Sequence, residues 1–302
     1  MPASTLNAST NFPTTLVSEM FSKVRGYSSL AKLSAQTPIP FNGISEFVFN
    51  LDGEASIVGE GGAKPANTAT ATPVVIRPIK FVYQARTSDE FLRASDEARI
   101  PTLQTFADGF AKKIARGFDI AAFHGLNPAD LTAATFQSTN SFDGVATGND
   151  VTYVAASIDD NIDAAIAAVQ ADGGIVTGIA MSPAAGAALS AIKVNGVVQY
   201  PEFRFGQNPN AFYGMGSDVN PTVPMKAAAG TTTVHVYAGD FQNAFKWGYA
   251  ANIPLEVIQY GDPDGRGRDL KQYNEVCLRA EAYIGWGILA ADHFARVKVT
   301  TT

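Results

Sequence analysis

The residue types that most often carry catalytic or metal chemistry are few in this sequence and widely separated. The three histidines are His124, His235 and His293, and the single cysteine is Cys277. A metal site or an activated nucleophile needs several such groups in a ligand-like or triad-like pattern. These four residues show no such pattern, which favours packed, hydrogen-bonded side chains. We therefore predict no catalytic, cofactor-binding or metal-ligating residue and no enzymatic activity.

Two glycine-rich motifs resemble ligand loops only in part. The sequence GEGGAKP over residues 59–65 lacks the spacing of a Walker loop and the Ser or Thr after its lysine. The sequence GDPDGRGRD places Asp262, Asp264 and Asp269 in a calcium-loop-like order. The glutamate at the twelfth loop position is missing. We interpret the first motif as a flexible loop tip and the second as a solvated turn.

Composition limits the class of protein. The 302 residues are 46% hydrophobic and only 17% charged, with a formal net charge of −6. A typical soluble domain has about 25% charged residues, so the deficit suggests that much of the surface meets other protein. The acidic balance disfavours a protein that binds nucleic acid by neutralising phosphates. The longest apolar run, over 282–291, is too short to cross a bilayer. Nor does the N-terminus resemble a secretory signal, so we expect a cytoplasmic, non-membrane product.

The first 87 residues contain little that could form a core of their own. Residues 1–44 are polar and small, with one short predicted helix over 14–25, and are expected to form an extended arm. Alternating strand patterns flank a Gly-, Ala- and Thr-rich tip, which predicts a long projecting hairpin over 45–87. Such a hairpin is marginal in water unless it packs on a neighbour. Its expected contact residues are Phe47, Phe49, Glu60, Lys64 and Arg77.

A long amphipathic helix and an acidic insertion follow. Phe106, Phe110 and Ile114 recur at spacings of three and four, and predict a helix from about Pro101 to His124 that acts as a spine. Residues 129–249 carry ten acids and four bases, and their pattern indicates helices packed on strands. Further strands are expected over 257–260, 275–282 and 294–299. This order predicts an α+β fold with a discontinuous first domain.

The ordered set of segments resembles a known family. The run from Phe47 through GEGGAKP, then VVIRPIKFVYQARTSDEFLRAS and the long helix, resembles a tailed-bacteriophage major capsid protein. The closing YNEVCLRAEAYIGWGILAADHFARVKV, over 273–299, is similar to the C-terminal strand segment of that family. The resemblance implies the Hong Kong 97 type shell fold. It covers nearly the whole chain, and its specificity lies in the order of the segments.

The resemblance implies a domain plan and a set of partners. The plan comprises an N-terminal arm (1–44), an extended loop (45–87), a peripheral domain with the spine helix (88–150), an axial domain (151–250) and returning peripheral strands (251–302). Copies would assemble in the host cytoplasm as pentamers and hexamers of a virion capsid around double-stranded DNA, which they would contact weakly and without sequence specificity. A portal is implied, and a separate scaffolding protein or none, because no helical scaffolding domain precedes Ser45.

Some shells of this family contain a covalent link between a loop lysine and an asparagine of a neighbour, assisted by a glutamate. By position, the corresponding residues here are Lys64, Asn274 and Glu281. Such a reaction needs a neutral amine in an apolar site. The tripeptide around Lys64 is not a crosslinking signature, and we favour an ordinary salt-bridging lysine.

Three alternative functions remain open at this stage. An encapsulin-like compartment would share the shell fold but hold a cargo enzyme in place of DNA. An α/β hydrolase-like enzyme would need a nucleophile and a base that the sequence does not indicate, and would leave the hairpin unexplained. A tail or decoration protein would not have the long helix and the insertion in this order.

Overall fold

The computed structural model describes residues 27–51, 55–64, 66–90, 96–227, 230–250 and 255–300. The five helices given for these residues are α1 (Ser29–Leu33), α2 (Asp96–His124), α3 (Phe142–Val145), α4 (Ile158–Ala171) and α5 (Pro183–Ala191). Short 3₁₀ turns lie at Ala155–Ser157, Pro201–Gly206 and Lys271–Tyr273. The predicted helix over 14–25 lies outside the described residues.

The strands form two large sheets and two hairpins. In chain order they are β1 (Ile44–Leu51), β2 (Ala69–Ile76), β3 (Ile79–Ser88), β4 (Asn149–Thr152), β5 (Gly178–Met181), β6 (Lys193–Val194), β7 (Val197–Val198), β8 (Ala211–Phe212), β9 (Met215–Val219), β10 (Thr232–Gly239), β11 (Phe245–Tyr249), β12 (Leu255–Ile258), β13 (Glu275–Ile288) and β14 (Phe294–Thr300). β1 pairs with β2, and β6 pairs with β7.

The peripheral sheet, as we call the four-stranded sheet, is built around β13. This strand pairs antiparallel with β3 on one side, and with β12 and β11 on the other. The spine helix α2 packs on it through aromatic side chains. The Phe118 ring lies 5.1 Å from Trp247 and 5.6 Å from Trp286, and all three residues are fully buried. Burial of large rings contributes most of the hydrophobic stabilisation of such a core.

The axial sheet, as we call the six-stranded sheet, has the order β4-β14-β10-β5-β9-β8. Its β14–β4 and β5–β9 pairs are parallel, and its other pairs are antiparallel. A second core lies between this sheet and helices α4 and α5, with Ile162, Val169, Leu189 and Val236 buried in it. The buried residues of α4 face this sheet, in agreement with the prediction of helices packed on strands in residues 129–249.

Strand pairing corrects three details of the predicted plan. Residues 79–86 were expected to form the second arm of the hairpin, but β3 pairs with β13 in the peripheral sheet, and the hairpin partner of β1 is β2. β14 was placed with the peripheral strands, but it pairs with β10 in the axial sheet. β11 was placed in the axial domain, but it pairs with β13. Alternation of apolar residues identifies a strand but does not name its partner.

The spine helix is longer than predicted. It begins at Asp96, so Pro101 lies in its second turn and not at its start. Its 29 residues span about 43 Å at about 1.5 Å per residue. Phe110 and Ile114 are buried in the core, and Phe106 packs at its edge with its ring 6.3 Å from Tyr83. The predicted spine residues therefore lie on the inner face, as expected.

The arm segment, residues 27–40, does not lack a core. Leu30, Leu33 and Ile39 are 0%, 7% and 4% exposed, and the first two belong to the main core. Residues 34–39 run beside β11, where the Thr37 amide donates to the Trp247 carbonyl at 2.8 Å. The interpretation that residues 1–44 contain little that could join a core of their own chain is therefore wrong for this segment.

Candidate intersubunit surfaces

The extended loop, residues 44–76, is a hairpin fixed at its base and exposed towards its tip. Its strands pair in register from Ile44 opposite Ile76 to Leu51 opposite Ala69. Ile76 is 1% exposed at the base, and the Lys246 ammonium lies 2.9 Å from the Glu46 carboxylate. Near the tip, in contrast, Ile57 is 103% exposed. The loop therefore holds apolar side chains in water on a projecting element, which makes it a candidate contact surface.

The residues predicted to contact a neighbour all lie on or beside this loop. Phe47 is 60% exposed on β1, and Glu60 and Lys64 are exposed at the tip. Arg77 is exposed just past the base, and Phe49 lies opposite Ala71 in the ladder. Their placement suits an intersubunit role, which stays a prediction.

Two further exposed aromatics were missed by the sequence reasoning. Phe205 is 91% exposed and Tyr213 is 79% exposed, both in turns of the axial half of the molecule, by which we mean the axial sheet, helices α4 and α5, and the turns that join them. Each has positive φ and is followed by a glycine with positive φ, Gly206 and Gly214. The sequence signal was an aromatic immediately before a glycine in a loop-like stretch.

A buried carboxylate holds the arm segment against the spine helix. Asp119 of α2 accepts hydrogen bonds from the Ser28 hydroxyl, the Ser29 amide at 2.9 Å and the Leu30 amide at 3.4 Å. The Thr222 hydroxyl lies 3.1 Å from the same carboxylate. Burial raises the pKa of Asp119 to about 7, although these hydrogen bonds oppose the shift.

The hydrogen-bond pattern supports a protonated Asp119. The Thr222 hydroxyl lies 3.1 Å from Asp119 Oδ2 and 2.9 Å from Asn220 Oδ1, but it has only one proton to donate. A proton on Asp119 Oδ2 satisfies both contacts, because the carboxyl group then donates to Thr222, which donates to Asn220. The arm is also tied to β9, where the Ser29 hydroxyl donates to Asp218 at 2.6 Å and Lys32 pairs with it at 2.8 Å.

The carboxylates of the acidic turn after β12 pair with an arginine side chain. Arg86 of β3 pairs with Asp262 at 2.6 Å, with Asp264, and with Glu275 at 3.1 Å. The hydrogen bond from Arg86 lowers the pKa of Asp264 to about 2. Asp269 accepts three backbone amides of the same turn. The described residues contain no group of three or more His, Cys, Asp or Glu side chains suited to a metal ion.

Two of the histidines have structural partners. His124 Nδ1 lies 2.7 Å from Asp143, and its Nε2 lies 2.9 Å from the Thr222 carbonyl. His235 Nδ1 lies 2.9 Å from the Ser182 hydroxyl. That hydroxyl is fully buried and accepts the Ala185 amide as the N-cap of α5, so it is not presented to a substrate. His293 is half-buried after β13. The single cysteine, Cys277, is buried, and burial raises the pKa of its thiol, which disfavours the nucleophilic thiolate.

A single chain does not bring the three crosslink residues into one site. Asn274 is exposed in a left-handed turn before β13, whereas Glu281 lies seven residues further along, about 20 Å away on an extended strand. The Glu281 carboxylate pairs with Lys80 at 2.7 Å. Lys64 is exposed and has no carboxylate partner among the described residues. A crosslink between copies therefore stays a prediction.

The chain was compared with known proteins. The family model of the phage capsid family matches residues 11–299. A solved structure from Mycobacterium phage Ogopogo has a TM-score of 0.76 and 32% identity, and the match covers 90% of this chain and 92% of that chain. A structure from Gordonia phage Cozz has a TM-score of 0.67 and 24% identity, with 93% and 87% covered.

A third structure is described as the capsid of a native GTA particle computed with C5 symmetry. It has a TM-score of 0.61 and 15% identity, with 90% of each chain covered, and so supports the fold alone. A search among curated proteins found no match. Within the described residues, no helix is both long and apolar enough to cross a membrane. The match over nearly the whole chain, together with the Hong Kong 97 type fold, shows that the chain belongs to the phage capsid family and is a major capsid protein of an icosahedral bacteriophage head.

Proposed function

We propose that copies of this chain assemble as pentamers and hexamers into a closed head around double-stranded DNA. In this arrangement the extended loop of each subunit lies on a neighbouring copy. The subunit acts through assembly and not through catalysis. A portal and, where one is used, a scaffolding protein would join it in the host cytoplasm.

The exposed loop is the observation that supports this proposal best. Phe47 and Ile57 remain in water on a hairpin that is anchored in its own chain at its base. A two-stranded hairpin is marginally stable at best by itself, so packing on a second copy is the natural way to hold it. Many modest patches of this kind, repeated by symmetry, are sufficient to hold a shell together.

The charge of the chain supports weak contact with packaged DNA. Its formal net charge is −6, so the subunit has no large excess of cations for neutralising phosphates. Weak, sequence-independent contact leaves DNA free to enter and leave the head. A protein compartment of the same fold would differ in its contents, and the DNA measurement below distinguishes the two.

The test is assembly of matched surface variants. Ile57→Asp places a charge on the loop, and Ile175→Asp places the same charge on a residue that is 69% exposed outside the loop. We expect wild type and Ile175→Asp to form shells or rings of five and six in electron micrographs at raised concentration and salt. Ile57→Asp is expected to remain as free subunits with an unchanged Tm, because only the contact with a neighbour is lost.

Equal assembly of the two variants would contradict the role of the loop. Particles isolated from infected cells should contain nuclease-protected double-stranded DNA. Particles that contain a protein cargo and no DNA would contradict the head function.

A further inference from the structure

Three turns on the axial half of the molecule share one backbone geometry but differ in sequence. Asn195–Gly196 connects β6 to β7, and Tyr213–Gly214 connects β8 to β9, each as a two-residue hairpin loop. Phe205–Gly206 occupies the centre of a turn closed by the Gln207 amide and the Arg204 carbonyl at 3.2 Å. The first residues have φ of 51°, 48° and 57°, and the glycines have φ of 82°, 85° and 73°. These are the angles of a type I′ turn.

Only one of the three turns has the residue that this geometry favours. A type I′ turn prefers Asn, Asp or Gly at its first central position, because a side chain there must tolerate a left-handed backbone. Asn195 meets this preference. Phe205 and Tyr213 do not, since a bulky residue with positive φ is strained. Two aromatic residues are thus present where the turn itself would be more stable with asparagine.

The strain is accompanied by unusual exposure. Phe205 is 91% exposed and Tyr213 is 79% exposed, so burial of these rings within the chain does not compensate for the strained backbone. The Arg204 guanidinium lies 5.0 Å from the centre of the Phe205 ring, which presents a cation and an aromatic face together. Tyrosine and arginine are among the residue types most enriched in interface hot spots, and phenylalanine is enriched in interface cores. Strained backbone that presents such groups points to a binding role.

A recess beside Tyr213 has complementary chemistry. This cavity of about 200 Å³ is large enough for one aromatic ring, and Ile162, Ile166, Phe212 and Met215 line it. Asp159 and Asp163 also line it and supply negative charge. A recess that is apolar and acidic suits a partner that presents an aromatic ring with an attached cation, as the Arg204–Phe205 turn does.

We propose that Phe205 and Tyr213 anchor the contact between the axial halves of neighbouring copies of this chain. The Arg204–Phe205 turn of one subunit meets the acidic, apolar recess beside Tyr213 of the next. A second copy is the occupant because the family assembles shells from copies of one chain and because the Arg204 guanidinium has charge opposite to the Asp159 and Asp163 carboxylates of the recess. This inference rests on the proposed assembly and names residues that it requires.

The first experiment compares Phe205→Asn and Tyr213→Asn with Asn195→Gly, a control in the same type of turn. Each Asn variant removes an exposed ring and relieves the turn, so we expect a rise in Tm of about 1–4 °C. Assembly should weaken in parallel, with at least about a tenfold rise in the subunit concentration needed for shells. Asn195→Gly should leave both quantities close to wild type. Variants that assemble as readily as wild type would overturn the proposal.

The second experiment tests whether the partner is another copy. Arg204→Glu and Asp163→Lys should each impair assembly, and the double variant should recover much of it, because the opposite charges are restored across the contact. Failure of the double variant to recover would overturn the pairing of the Arg204 turn with the recess. Wild type that never assembles would contradict the proposed function itself. If wild type assembles and the variants at Phe205, Tyr213, Arg204 and Asp163 assemble equally well, only this inference is contradicted.

Discussion

The arm segment and the extended loop are neighbours in sequence, and both contain many small and polar residues. Their apolar side chains nevertheless differ strongly in exposure. In the arm segment, Leu30 is fully buried and Ile39 is 4% exposed. In the extended loop, Phe47 is 60% exposed and Ile57 is 103% exposed. The arm segment thus buries its apolar side chains in the core of its own subunit, whereas the loop leaves its apolar side chains exposed for contact with another molecule.

Backbone and polar partners explain this difference. The arm segment adds to the edge of β11, and the Trp247 indole donates to the Ser34 carbonyl at 3.2 Å. Asp119 accepts the Ser28 hydroxyl and the first amides of α1. The two strands of the loop pair with each other, and near the base Glu46 also pairs with Lys246. A small, polar segment therefore folds onto its own chain when the core offers specific acceptors, and projects when it does not.

The largest expected effect tests the comparison directly. Leu30→Ala removes a fully buried side chain of the arm segment and should lower the free energy of unfolding by about 2–5 kcal/mol. Ile57→Ala removes a similar side chain from water and should change it by less than about 0.5 kcal/mol. Chemical denaturation of free subunits measures both. Equal changes in the free energy of unfolding for Leu30→Ala and Ile57→Ala would contradict the conclusion that, of the two regions, only the arm segment is part of the core.

The next prediction concerns the close approach of the arm segment to β11. A Cβ atom on Gly248 would lie 1.7 Å from the Thr37 carbonyl oxygen, so Gly248→Ala must displace the backbone of one segment. We expect a loss of about 2 kcal/mol in the free energy of unfolding, with faster proteolysis in residues 27–40.

Gly109→Ala is the control for this displacement. Nothing lies within 4 Å of a Cβ atom at Gly109, which is on the spine helix. The alanine should stabilise the subunit by about 0.5–1 kcal/mol through helix propensity. A Gly248→Ala subunit that keeps full stability and protease resistance would show that the arm does not depend on this approach.

A smaller effect concerns pH and Asp119. Burial raises the pKa of this carboxyl to about 7, so the folded chain keeps a proton that the unfolded chain has lost. Stability is therefore greater on the acid side and falls as pH rises through about 7. We expect the Asp119 contribution to decrease by about 1 kcal/mol between pH 6 and pH 8.

Asp119→Asn is the control for this titration, because it keeps the size of the side chain but cannot ionise. Burial lowers the pKa of His235, which makes stability rise with pH near its ordinary range and so opposes the Asp119 trend. The difference between wild type and Asp119→Asn removes that contribution, since both chains contain His235. An unchanged difference from pH 6 to pH 8 would show that Asp119 does not titrate there.

The smallest expected effect is local. Arg86→Gln removes the cation that holds Asp262, Asp264 and Glu275 around the turn after β12. We expect trypsin to cleave faster after Arg266 and Arg268, while the Tm of the subunit changes little because the turn lies outside both cores. Mass spectrometry of the fragments locates the cleavage. An unchanged rate at these two sites would contradict the role of Arg86.

The sequence indicated the fold through the order of its segments. Spacings of three and four placed Phe110 and Ile114 on the inner face of a long helix, because helical periodicity records burial directly. Alternation predicted the strands over 257–260, 275–282 and 294–299, where β12, β13 and β14 lie, although β13 continues to Ile288. Local patterns were sufficient for these features.

Only the tertiary structure decided which segments meet. Asp119 and Ser28 are 91 residues apart in the chain, and no local pattern indicates that one would hold the other. The same reason explains why β3 was assigned to the hairpin and β14 to the peripheral strands. Hydrophobic periodicity specifies which face of an element is buried, whereas the partner depends on long-range packing and hydrogen bonding that the whole chain determines together. The sequence by itself thus determined the elements of a shell protein, and the folded chain determined that the arm segment is held within the subunit and the extended loop is left exposed.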